Sequence, residues 1–141
     1  MTKTTETESW IKLYDGPNGE VWILRKCIKE LNKLKQNRLR ATLEANMSKR
    51  FCMLEDLSDL TKSQFALNED RFSYNGKEVL LSAMKGGDLR VYGNVGSVND
   101  CRAFFGTLVV YKKANKLDMD DGRTATKRLL ELVGEIPGAA V

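Results

Sequence analysis

Val79-Leu80-Leu81-Ser82-Ala83-Met84-Lys85-Gly86-Gly87-Asp88-Leu89-Arg90-Val91-Tyr92 is the stretch on which the fold turns. A short β-leaning run is broken by two glycines and resumes with clean alternation, which predicts a β-hairpin. Downstream, Gly93 to Asp100 is rich in turn residues, and Arg102 to Tyr111 reads as one long strand in which Gly106 marks a bulge. Asp118 then offers a helix N-cap, and Asp120 and Asp121 suit the positive end of a helix dipole. Leu129, Leu130, Leu132 and Val133 form the apolar face of that last helix, which Gly134 and Pro137 end. Upstream, Phe51 to Lys77 has no sustained period and reads as a loop. Before it, Val21, Leu24, Ile28, Leu31 and Leu34 recur at helical spacing from about Glu20 to Lys35, and Leu39, Leu43 and Met47 continue it to about Arg50. The short joint at Gln36-Asn37 predicts an antiparallel helical hairpin. Trp10 to Tyr14 reads as a strand closed by the turn chemistry of Asp15-Gly16-Pro17-Asn18-Gly19.

The resulting order is βααβββα. Because the second half lacks β-α-β alternation, it predicts an α+β fold: an antiparallel sheet packed against an N-terminal helical hairpin, with a C-terminal helix. A single domain over residues 10–136 is expected between flexible tails at 1–9 and 137–141.

Composition narrows the chemistry. The chain has 141 residues, 42% hydrophobic and 30% charged, the ordinary mix of a compact domain. No apolar run approaches the length of a membrane span, and the polar start lacks the apolar core of a signal peptide, so a cytoplasmic protein with no membrane partner is expected. Histidine is absent, which removes the Ser/His/Asp triad, Cys/His dyads and every imidazole acid or base. Cys27, Cys52 and Cys101 are widely spaced with no C-x-x-C, so no metal site is spelled out and packing is their expected role. Trp10 and Trp22 are expected to pack in the core or at a helix edge.

The net charge of +4 is unevenly spread. From Arg25 to Arg50 there are nine basic residues against Glu30 and Glu44, and from Lys85 to Arg128 nine basic against five acidic. Two basic zones on one small domain favour a polyanion or an acidic protein as partner. Alternation places Leu89 and Val91 on one side of their strand and Arg90 and Tyr92 on the other. A sheet face carrying Arg, Lys and Tyr suits phosphates and stacked bases.

Four stretches in order cover most of the chain: Trp10 to Tyr14 with Asp15-Gly16, the basic hairpin Glu20 to Arg50, Ala83-Met84-Lys85 followed by Leu89-Arg90-Val91-Tyr92-Gly93, and Val109-Val110-Tyr111-Lys112-Lys113 with Lys116. Together they resemble the RelE/HigB branch of toxins from type II toxin–antitoxin pairs, in its phage-derived HigB-like form. The resemblance implies a RelE-like fold and an endoribonuclease that cuts messenger RNA at the ribosome and inhibits translation. It implies a cognate antitoxin as partner and, because the RNA 2′-hydroxyl serves as nucleophile, neither metal nor cofactor. Carried over, Lys85, Arg90, Tyr92, Lys112 and Lys113 form the catalytic set, and Arg102, Tyr111 and Lys116 contact RNA. Two alternatives stand beside it: a non-catalytic relative that inhibits a partner such as DNA gyrase, as the related ParE proteins do, and an inactive phage or mobile-element protein that binds RNA.

Overall fold

Val21-Trp22-Ile23-Leu24 is an unbroken apolar run with two β-branched residues and an aromatic ring, the composition of a strand covered on both faces. In the computed structural model, which describes residues 4–111 and 118–141, this run belongs to β2 (Gly19–Leu24) and is buried along its whole length. It follows β1 (Trp10–Gly16) and precedes α1 (Arg25–Leu34) and α2 (Asn37–Ala45), the latter prolonged by a π-helical turn at Asn46–Phe51. Four strands come next, β3 (Phe65–Tyr74), β4 (Lys77–Gly86), β5 (Leu89–Val98) and β6 (Cys101–Tyr111), then α3 (Met119–Leu132) and the short β7 (Ala139–Ala140).

The sheet runs β1-β2-β6-β5-β4-β3, with β7 added along β5. All its pairings are antiparallel except one: β2 lies parallel to β6, with Val21 opposite Phe104 and Ile23 opposite Gly106. This corrects the expected α+β, RelE-like fold with its βααβββα order and wholly antiparallel sheet to a strand-dominated mixed α/β fold. Two strands precede the helical hairpin, four lie between it and α3, β7 follows α3, and the sheet is mixed. The helical spacing of Val21 and Leu24 is a coincidence of an apolar run, so the first helix begins at Arg25 and not near Glu20.

Residues 51–77 are also more ordered than expected, because β3 is an edge strand. Only Phe65 and Phe72 of its ten residues are buried, so polar residues fill the remaining positions and no apolar alternation marks it. β5 extends past Tyr92 through the turn-rich stretch because Gly93 and Gly96 let backbone approach closely. A Cβ at either position would run into the carbonyl of Phe105 or Ala140. The bulge expected near Gly106 is present: Tyr92 pairs with Leu108 and Gly93 with Gly106, leaving Thr107 as the extra residue.

Val79 and Gly86 are an odd number of residues apart on β4 and therefore point to opposite faces. Gly86 lies against the Leu39 and Leu43 backbone of α2, whereas Phe72, paired with Val79, lies against Gly122 of α3. The helical hairpin and α3 thus cover opposite faces. Phe51, Phe65 and Phe104 cluster on one side with centroids 5.8 to 6.1 Å apart, and Trp10 meets Phe105 edge-on at 5.9 Å. Both tryptophans are buried. Asp118 caps α3 as expected, accepting from the N–H groups of Asp120 and Asp121.

Residues 4–9 and 137–141, the described parts of the stretches expected as tails, make contacts with the domain, among them the pairing of β7 with β5. Trp10 Nε1 donates to Leu132 O at 2.8 Å, and the Glu135 carboxylate accepts from Thr7 Oγ1, Ser9 N and Ser9 Oγ at 2.7 to 2.9 Å. No helix among the described residues is long and apolar enough to cross a membrane.

Candidate functional site

The hairpin of β4 and β5 places Lys85 directly opposite Arg90 and Ala83 opposite Tyr92. Paired residues share a face, so Lys85, Arg90 and Tyr92 stand on one side of the sheet. Of the eight residues singled out from sequence, these three are brought together. Lys112, Lys113 and Lys116 lie outside the described residues.

Lys85 is half-buried, and its amine is held below the usual lysine range, first by desolvation and then by the neighbouring Arg90 charge, while Glu69 opposes the shift. Arg90 is 3% exposed and Tyr92 fully buried. Burial raises the Tyr92 phenol, and the adjacent Arg90 guanidinium pulls back. Tyr92 therefore lies beside Arg90, and its buried ring has no face for a base to stack upon.

Arg102 and Tyr111 are placed differently. The Arg102 guanidinium is taken up by three carbonyls, donating from Nη2 to Phe51 O and Leu54 O at 2.6 Å each and from Nη1 to Glu55 O at 3.0 Å. It also lies over the Phe51 ring at 4.9 Å. It clamps the end of the π-helical turn, and its donors are not turned to a ligand. Tyr111 is exposed, but it pairs with Leu89 and so faces the other side of the sheet from Arg90.

A cleft of about 420 Å³ opens at the hairpin, lined by Lys85, Arg90, Arg50, Asn46, Thr42 and Gln64 among others. The π-helical turn builds one wall. Asn46 Nδ2 donates to Lys85 O at 2.6 Å and Arg50 Nη1 donates to Asn46 Oδ1 at 2.9 Å, which pins Arg50 beside the lysine. On the other wall, Lys85 N donates to Gln64 O at 3.0 Å. Lys85, Arg90 and Arg50 thus all line this cleft, Arg50 from the hairpin side and Lys85 with Arg90 from the other face of the sheet, and cations around a cleft favour a phosphate. Arg50 and Glu69 were not singled out from sequence. Arg50 sits at helical spacing from Asn46 within the basic zone, a usable signal, whereas Glu69 lies in the segment that carries no period.

Comparison with family models, curated proteins and solved structures finds no match to this chain, and nothing in them identifies a RelE/HigB-type toxin.

Proposed function

We propose that the protein binds RNA through the cleft of Lys85, Arg90 and Arg50 and cleaves it, acting as a toxin held in check by an acidic partner protein. The observation that carries this reading is the register pairing of Lys85 with Arg90 beside Arg50.

The chemistry follows from what the cleft holds. The RNA 2′-oxygen forms a bond to phosphorus while the bond from phosphorus to the 5′-oxygen breaks, giving a 2′,3′-cyclic phosphate and a 5′-hydroxyl. Arg90 and Arg50 stabilise the added charge on the phosphoryl oxygens. Lys85 steadies the same phosphate, while water accepts the 2′-hydroxyl proton and water protonates the leaving 5′-oxygen. The six exposed cations Lys26, Lys29, Lys33, Lys35, Arg38 and Lys49 of the helical hairpin add backbone affinity that falls with salt and offer an acidic partner a surface.

The test is induced expression in a bacterial host with mapping of messenger RNA ends, wild type beside Lys85→Met. Growth arrest with new internal ends, both lost in the variant, is expected. Arrest with intact messenger RNA would sink the cleavage step, and binding of RNA without cuts would leave the cleft as a binding site only.

A further inference from the structure

The irregular part of β3 lies next to Lys85. Between Ala66 and Asp70 the pairing with β4 slips, and Asn68 adopts a left-handed backbone with φ 49°, a conformation asparagine tolerates better than most residues. The Asn68 N–H donates to Ser82 Oγ at 2.8 Å, which fixes the distortion. Bulges re-aim side chains, and this one brings Glu69 close enough to Lys85 to favour the lysine's charged form.

Glu69 Oε2 is buried and has no hydrogen-bond partner among the described residues. Leaving a buried carboxylate oxygen unpaired is costly, so a donor is called for at this spot. Beside it opens a second cleft of about 730 Å³, walled by Leu57, Leu60, Phe65 and Leu67 and lined also by Glu69 and Lys85. Leu67 is 47% exposed. Lys85 lines both clefts, so a phosphate held by it has an apolar, carboxylate-bearing recess immediately alongside.

We propose that this recess is the base subsite of the RNA site and selects guanine, Glu69 accepting from the ring N1–H and the 2-amino group while Lys85 holds the phosphate of the same nucleotide. Guanine alone of the four bases offers two adjacent N–H donors on its Watson–Crick edge. Adenine, cytosine and uracil each set at least one acceptor lone pair beside their donor, which a carboxylate repels. The apolar walls suit the faces of a planar ring. The inference rests on the RNA-binding reading above and adds its base preference.

The test is titration of the four ribonucleoside 3′-monophosphates by protein NMR. The guanosine nucleotide should bind about tenfold or more tighter than the adenosine one. Glu69→Gln should bring it to the adenosine level while leaving the adenosine nucleotide unchanged. Leu67→Trp, which fills the recess from an exposed position without altering charge, should do the same, and the NMR spectrum reports directly that each variant is folded. Equal affinity for all four nucleotides, lost together in Lys85→Met, would overturn the base subsite and leave the phosphate site standing. Guanine preference persisting in Glu69→Gln would also overturn it, and failure of any nucleotide or RNA to bind would overturn both readings.

Discussion

Lys85 and Arg102 are both cations on the central hairpin strands or beside them, and their surroundings set them to different work. Lys85 holds its proton less tightly folded than unfolded, because burial and then Arg90 disfavour its charge. The unfolded chain therefore binds more protons in the window just below the ordinary lysine value of 10.5, and the lysine's penalty to stability is relieved as pH rises through that window. Substituting Arg90 by Met removes the second cause. Amine-labelling rates read by mass spectrometry should show Lys85 reacting faster than the exposed Lys26 per unit accessibility in wild type, and slowing toward it in the variant. Arg102 is a structural clamp. Arg102→Met leaves the carbonyls of Phe51, Leu54 and Glu55 without their donor and should cost about 2 to 3 kcal/mol in urea denaturation, with RNA affinity of the folded protein unchanged. The pairing of Lys85 with Arg90 was legible from alternation and the glycine break. Arg102 was not, because a basic residue at the start of a strand looks the same whether it faces solvent or a turn's carbonyls.

At the scale of elements, α3 sits where it does because Gly122 has no side chain. A Cβ there would collide with the Phe72 ring of β3. Gly122→Ala gains about 1 kcal/mol of helix propensity, yet it forces a packed helix off the sheet, and overpacking of this kind costs typically 1 to 3 kcal/mol. With the contact as close as it is, the steric effect wins, and a lower thermal midpoint is expected in calorimetry. The central strands and both helical stripes were readable because each shows its own period. β2 was misread because an apolar run buried on both faces has no period of two, and spaced members of such a run imitate a helix. β3 escaped notice because its edge position demands polar residues and its bulge breaks the alternation that remains.

For the whole molecule, the ends of the described chain are tied together through Glu135. Its carboxyl is held below the usual range, first by the Ser9 hydroxyl and also by Thr7 and the Ser9 N–H. A depressed carboxyl pKa contributes stability that is present above the unfolded value of 4.5 and is lost as pH falls through the folded value. Glu135→Gln should therefore flatten the acid limb of the urea midpoint against pH, and an identical limb in both proteins would rule this linkage out. The parallel pair of β2 with β6 has a different consequence, in time. It joins residue 21 to residue 104, so its contacts close a loop containing most of the chain, and that entropy must be lost before the contacts form. β1 and β2 can form a hairpin early, but the buried flank of β2 has no partner until β6 exists. On a translating ribosome, therefore, Val21, Trp22 and Ile23 stay available to chaperones or to wrong partners until the chain has been made past residue 104.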